Sequence, residues 1–234
     1  MLRTKLYTDG GYLLNNPGWN EEDAVHKVAW LNGLLSKNPL SFDSVTDIGC
    51  GTGRVLKELS ALLPPGISYQ GFDISPQAIE YAQNFSSDNM QFICADYIQA
   101  TTPKTDLVIM FDVLEHVPDY YGFLDRLKQK GNLFAFHIPL DLCCRSLLKP
   151  HVLLQQRNNV GHIHYFSREM VLWMLKDTGY EIIDWNYTLP VTDFSKPRSL
   201  KQSIKKALRN TSFSIHKNLS ADLWGDYSMM ILAR

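Results

Sequence analysis

A chain of 234 residues with 45% hydrophobic and 20% charged side chains can bury one full core, so a single domain is expected. Its 23 Lys and Arg against 24 Asp and Glu leave a formal charge of −1, which argues against a general nucleic-acid binder and an acidic disordered chain. The longest uncharged stretch, Leu59 to Phe72, is too short and polar to span a bilayer, which takes about 20 apolar residues.

At the amino terminus, Asp9, Gly10 and Gly11 interrupt the apolar residues that a secretory leader would need, and a cytoplasmic protein is expected. Residues 20–37 predict a helix, with Asn20 as cap, acids in the first turn, and Ala24, Val28, Leu31 and Leu35 on one face. SVTDIG then reads as a strand, a glycine turn follows, and RVLKELSALL reads as a helix ending at Pro64-Pro65. ISYQGFDI is a second strand and PQAIEYAQNF a second helix with Pro76 in its first turn. MQFICADY, TDLVIMFDV and NLFAFHIPL predict three more strands, with the helix DYYGFLDRLKQK between the last two. SREMVLWMLKDT is a helix capped by Ser167 and stopped near Gly179, and YEIIDWNYT and LWGDYSMMILA close the chain as strands. This alternation predicts an α/β fold: a doubly wound, mostly parallel sheet with helices on both faces and its ligand site at the strand ends. Cys50, Cys94, Cys143 and Cys144 form no C-x-x-C pair, so reduced thiols and no structural metal are expected.

The most informative stretch is VTDIGCGTGR, where Gly49, Gly51 and Gly53 follow a strand and precede a helix. Alternating glycines allow a tight turn and let a ligand approach the backbone closely. A dinucleotide fingerprint would place Gly or Ala where Arg54 stands, and a helix packs poorly on a strand through a long cation. Asp47 adds a carboxylate beside the loop, which repels a pyrophosphate and suits the ammonium of an amino acid. Asp73 ends the next strand, twenty residues after Gly53, where a carboxylate can accept hydrogen bonds from ribose hydroxyls.

DIGCGTG resembles the signature loop of class I S-adenosylmethionine-dependent methyltransferases, and the later segments follow that family in order. The resemblance implies a Rossmann-like, seven-stranded sheet with an antiparallel last strand, S-adenosylmethionine as cofactor and S-adenosylhomocysteine as product. It implies cofactor contacts from Asp47, Gly49, Cys50, Gly51, Gly53, Asp73 and Ile74, from Asp96 and Tyr97 around the adenine, and from Phe111 and Asp112 near the methionine portion. Residues 1–40 would form an arm and helix over the cofactor, with Tyr7, Tyr12 or Trp19 as contacts; an arm anchored on the sheet by its aromatics is the equal alternative. The implied activity is methyl transfer to a small-molecule acceptor, chiefly a hydroxyl of a glycan, nucleotide sugar or metabolite. No N-P-P-Y element follows the fourth strand, where FDVLE stands, and this disfavours methylation of nucleobases or amides. An inactive cofactor-binding partner protein is the alternative from another class, and an NAD(P)-dependent oxidoreductase is opposed by Arg54 and Asp47.

A hydroxyl acceptor benefits from a general base, and histidine suits that role near neutral pH. His116 follows the fourth predicted strand and His137 falls near the carboxyl end of the fifth, while His162 and His164 precede a capped helix; His162 or His164 is the expected base. As a metal pair these last two lack a nameable third ligand, so no metal is expected. Residues 190–221 form a basic, lid-like insertion in which Lys196, Arg198, Lys201, Lys205, Lys206, Arg209 and Lys217 meet no acid before Asp222. Leu200, Ile204 and Leu208 recur there at helical spacing. Three readings stand for this segment: a helix on a membrane surface serving a lipid-linked acceptor, a lid facing an anionic acceptor, or a surface helix packed on the core.

Overall fold

The structure, a computed structural model, describes residues 21–190 and 199–234. The expected cap Asn20 and the aromatic contacts Tyr7, Tyr12 and Trp19 lie outside the described residues, as do residues 191–198. The first half runs α1 (Glu21–Lys37), β1 (Ser44–Ile48), α2 (Arg54–Leu62), β2 (Ser68–Asp73), α3 (Pro76–Ala82), β3 (Met90–Cys94) and β4 (Thr105–Phe111). The second runs α4 (Tyr120–Lys128), β5 (Gly131–Pro139), α5 (Cys144–Leu148), α6 (His151–Asn159), α7 (Arg168–Asp177), β6 (Ile182–Thr188), α8 (Leu200–Ile215), α9 (Lys217–Trp224) and β7 (Ser228–Ala233).

The seven strands form one sheet in the order β3-β2-β1-β4-β5-β7-β6. β7 runs antiparallel to β5 and β6, and the remaining pairs are parallel. Period-two alternation gives the sheet two buried faces. Leu107 and Ile109 of β4 join Leu31, Leu34, Leu56 and Leu59 from α1 and α2, while Val108 and Met110 join Leu124, Val171 and Leu175 from α4 and α7. The apolar stripe read from the sequence of α1 is the buried one, with Val28 and Leu31 at 1% and 0% exposure. Burying each such side chain contributes about 1.5–3 kcal/mol. Helix starts follow the same local logic: Ser75, Asp119 and Ser167 each accept the backbone N–H of the third residue beyond.

Three expectations change. The last strand begins at Ser228, because Leu223 and Trp224 finish α9 and Gly225 (φ 64°) turns the chain at its cap. α5 and α6 occupy a stretch with no predicted element; α5 starts at a reciprocal cap between Cys143 and Ser146, and α6 buries none of its residues, so neither carries an apolar stripe. In α8 the Leu200–Ile204–Leu208 stripe faces outward at 77%, 52% and 53% exposure, so it does not pack on the core. All four cysteines are free thiols.

β1 sits between β2 and β4, where strand order reverses, and the crevice beyond such strand ends is the address for a ligand in an open α/β sheet.

Candidate active site

The loop after β1 is held by backbone. Gly49 N–H and Cys50 N–H both donate to the Phe72 carbonyl, at 2.8 and 3.1 Å. Gly51 N–H donates to Asp73 Oδ2 at 2.9 Å, and Ser75 N–H to Asp73 Oδ1 at 2.8 Å. Gly49, Gly51 and Gly53 adopt φ of 71°, 53° and 79°. A Cβ at Gly49 would stand 2.5 Å from Val113, and one at Gly53 would stand 2.6 Å from the Phe92 ring, whereas one at Gly51 would meet nothing within 4 Å. Two glycines thus serve close packing and the middle one fronts open space. Arg54 takes no part in helix–sheet packing; it pairs with Glu58 one turn along α2 at 2.7 Å.

That space belongs to a cavity of about 1640 Å³. Asp47, Gly49, Cys50, Gly51, Asp73, Ile74, Asp96, Tyr97, Phe111, Asp112 and His162 border it; Gly53 and His164 do not. Asp47 is 2% exposed and its Oδ2 has no hydrogen-bond partner. Burial, then the charge of Asp73, pushes the Asp47 carboxyl well above the usual carboxylate range. Burial also raises Asp73, against the pull of the Ser75, Gly51 and Ile74 N–H groups. Such a pair suits an ammonium beside Asp47 and a diol beside Asp73. Asp96 accepts from Ile98 N–H and the Gln99 side chain, at 2.9 and 2.7 Å. Tyr97 reaches the cavity edge but is 2% exposed, its ring packed edge-on to Phe72 at 4.9 Å and committed to the core. The Cys50 thiol is buried, which pushes its pKa well up, so it serves as a small apolar group.

Asp112 follows β4 in the left-handed region (φ 55°), a conformation costing about 1 kcal/mol or more for a residue with a side chain. Both its carboxylate oxygens are engaged: Lys27 Nζ lies 2.5 Å from Oδ2, and His137 Nδ1 lies 2.6 Å from Oδ1. His137 Nε2 continues the chain to Thr188 Oγ1 at 2.8 Å. Burial would raise Asp112, but His137 and Lys27 outweigh it and hold the carboxyl far below its ordinary range. Lys27, half-buried on α1, is kept charged by Asp112 despite desolvation. Helix spacing alone does not single out Lys27, because a lysine within an amphipathic helix reads as surface.

Across the cavity a 3₁₀ turn at Leu114–His116 carries Glu115, 1% exposed and without a hydrogen-bond partner from another residue on either carboxyl oxygen. Its backbone carbonyl accepts the N–H groups of Ile163 and His164, at 2.9 and 3.1 Å, which staples the segment before α7 against the turn. His162 lands there: its Nδ1 lies 2.6 Å from Asp141 Oδ2 and its Nε2 lies 3.8 Å from Glu115 Oε1. The His116 and His162 rings meet edge-on at 5.0 Å. Burial, then His162, pulls His116 down to about 4, and burial, then Asp112, pushes Glu115 well up. His164 instead turns to the Pro118 carbonyl (3.3 Å) and the Tyr120 ring (4.8 Å). So the two expected bases part company, and His162 gains a carboxylate partner, Asp141, that sequence spacing does not mark. The third ligand missing beside a His162/His164 pair also changes, because Glu115 and His116 stand beside His162.

The outer wall is cationic. Arg145, Arg157, Lys205, Lys206 and Arg209 border the cavity together with Asp226. Asp226 pairs with Arg145, with Lys205 at 3.0 Å and with Arg209 at 3.5 Å, and like Asp112 it adopts a positive φ, 63°. Asp226 thus ties together three of these five cations.

Known proteins share the fold on which this cavity is built. Residues 22–184 match the family model described as a methyltransferase domain. The ubiquinone biosynthesis O-methyltransferase of Paraburkholderia xenovorans is 25% identical over 214 residues, covering 87% of this chain and 82% of that protein. The malonyl-[acyl-carrier protein] O-methyltransferase of Acetivibrio thermocellus is 36% identical over 114 residues, covering 46% of this chain and 40% of that protein. Among solved structures, magnesium protoporphyrin IX methyltransferase from Synechocystis PCC 6803 with bound S-adenosylhomocysteine shares the fold at a TM-score of 0.56 and 20% identity, covering 91% and 81% of the two chains.

Proposed function

The chain belongs to the class I S-adenosylmethionine-dependent methyltransferases, and from that premise we propose that it methylates an oxygen of a small, acidic acceptor. The oxidoreductase alternative falls with this membership. When bound, the cofactor supplies an electrophilic methyl group on its sulfonium. Asp47 takes the ammonium of its amino-acid end, and its unpartnered, buried oxygen supports that fit. Asp73 takes the ribose hydroxyls with the lone pairs left beside its backbone donors. Gly51 leaves the space its side chain would fill. Asp96 and Ile74 border the adenine end and Phe111 the methyl end, while the Tyr97 ring stays in the core. Asp112 acts at one remove, tying α1 to the sheet through Lys27 and His137.

The acceptor's oxygen is activated through His162. Its Nδ1 is committed to Asp141, which fixes the ring and leaves Nε2 on the side of Glu115. His164, outside the cavity wall, has no part in this step. Alignment of the oxygen with the methyl carbon contributes up to about 7–11 kcal/mol in well-oriented reactions, and a base about 10²–10⁴-fold. Arg145, Arg157 and Lys206 receive the acceptor's negative group, a role suited to carboxylate or phosphate.

The observation that carries this reading is one cavity bordered by the glycine loop, by His162 and by the cationic wall. A second reading, an acceptor held at a lipid surface, draws on the outward Leu200–Ile204–Leu208 stripe of the helix whose cations border the cavity. Among the described residues no helix is long and apolar enough to cross a membrane.

The test is transfer of a labelled methyl group from S-adenosylmethionine to matched acidic and neutral alcohols and phenols, with and without anionic vesicles. Label on acidic acceptors, lost in Asp73→Ala and in His162→Ala, is the expected result. Cofactor binding without transfer to any of them favours the inactive partner protein, and a preference for neutral acceptors overturns the role of the cationic wall.

A further inference from the structure

We propose that Glu115, His116 and His162 bind one divalent transition-metal ion. Each offers one ligand atom, and these atoms lie within 4.8 Å of one another. Glu115 Oε1 stands 3.8 Å from His162 Nε2 and 3.9 Å from His116 Nε2. Ligands on bonds of about 2.0–2.2 Å stand about 3–3.5 Å apart, so a closure of about 1.5 Å or less brings the three onto one ion.

Three further observations point to a cation rather than to chance proximity. The Glu115 carboxyl is 1% exposed and neither oxygen has a hydrogen-bond partner from another residue; its own backbone N–H and the charge of Lys27 offset the burial only in part. Both imidazoles have a partner besides the cluster: His162 Nδ1 meets Asp141 at 2.6 Å, and the His116 ring hydrogen-bonds the backbone of Gly161. Outer partners of this kind fix the tautomer and ring direction of metal-ligating histidines. Finally, all three residues border the cavity, which leaves the ion's remaining positions open.

Two imidazoles and one carboxylate favour Zn²⁺, Mn²⁺ or Fe²⁺ over Mg²⁺ or Ca²⁺, which prefer oxygen alone. In the methyl-transfer reading, on which this one consequence rests, His162 serves as a ligand rather than as the proton acceptor. An acceptor hydroxyl taking an open position loses its proton more readily, the proton passing to bulk water and the oxygen keeping the electron pair.

The experiment titrates the chelator-stripped full chain with Zn²⁺ and Mn²⁺ alone by calorimetry, and with Co²⁺ by visible absorption. S-adenosylhomocysteine affinity is measured in the same samples. One ion per chain at micromolar affinity or better is expected, weakened at least 30-fold in His116→Gln and in Glu115→Gln, and about 10–100-fold in Asp141→Asn. S-adenosylhomocysteine affinity should stay within about twofold throughout, which also certifies folding. The wild-type cobalt spectrum needs no variant: d–d bands without a thiolate charge-transfer band are expected. No saturable binding, binding indifferent to these substitutions, or a thiolate band overturns the metal site. Should the cofactor bind while no metal does, the methyl-transfer reading stands with His162 as base; metal binding without cofactor binding would leave the site and remove that reading.

Discussion

The two ends of the cavity are built in different ways. At one end, consecutive residues of a strand–turn–helix unit, Asp47 to Gly53, are pinned by backbone hydrogen bonds to Phe72 and to Asp73 on the neighbouring strand. At the other, Glu115, Asp141, His162, Arg209 and Asp226 come from separate segments; their side chains meet there, and the Glu115 carbonyl holds the segment after His162 through Ile163 and His164 N–H. The first end owes its shape to local conformation, so its weak points are backbone positions. The second owes its shape to tertiary contacts and buried charge, so its weak points are single functional groups, and the sheet beneath tolerates their loss.

The largest effect should come from the backbone end. Gly53→Val places a β-branched side chain at φ 79° against Phe92, and a loss of about 3 kcal/mol or more is expected. Thermal unfolding should read it as a fall of roughly 6–12 °C. Gly51→Ala, with open space around its Cβ, should cost about 1–2 kcal/mol while weakening S-adenosylhomocysteine binding at least tenfold. Equal unfolding losses in the two variants would break the distinction between packing and ligand-facing glycines.

At the other end, His162→Ala should lower the methyl-transfer rate by about 10²–10⁴-fold with cofactor affinity unchanged. Arg157→Gln combined with Lys206→Gln should raise KM for an acidic acceptor by about tenfold, or roughly 1.4 kcal/mol, and leave kcat and neutral acceptors alone. Steady-state kinetics on paired acceptors separates these two outcomes.

The smallest effects concern protons. Glu115 has its folded-state pKa raised by burial, so the folded state holds the proton more tightly than the unfolded chain. Metal-free stability therefore falls as pH rises from the ordinary carboxylate value towards the raised one. Glu115→Gln removes that slope and should raise the melting temperature at pH 8 by a few degrees, roughly 2–4 °C per kcal/mol, with the gain vanishing near pH 4. Asp112 has the opposite sign: its pKa is depressed, so its contribution is complete above the unfolded value and fades as pH falls below about 4. Acid titration of Asp112→Asn beside the parent chain checks this, and parallel curves below pH 4 would contradict it.

The same contrast explains what the sequence makes legible. Gly49, Gly51, Gly53 and Asp47 lie within seven residues, and a strand, a turn and a helix follow from local rules, so loop and sheet are readable together. Apolar periodicity likewise marks α1, α4 and α7, whose buried stripes face the sheet. Spacing carries no distance, however, for Lys27 with Asp112, or for Asp141 with His162 and Glu115. A histidine pair two residues apart suggests a joint role, yet the backbone places His162 against Glu115 and His164 against Tyr120. The vicinal Glu115-His116 after a strand is the one sequence signal that, weighed with His162, points to the cluster. α5, α6 and the end of α9 escape because they are short or lack a buried stripe.

The central claim is that the glycine-loop end holds an amino-acid ammonium at Asp47 and a ribose at Asp73. Its most direct test is calorimetric titration with S-adenosylhomocysteine in buffers of different ionisation enthalpy, for the wild type, Asp47→Asn and Asp73→Ala, with NADH as the control ligand. Because burial raises the Asp47 pKa and a neighbouring ammonium lowers it again, binding should be accompanied by proton release; that release should vanish in Asp47→Asn, and affinity should fall at least tenfold in Asp73→Ala. Equal affinity in all three proteins, or tighter binding of NADH, would contradict the account.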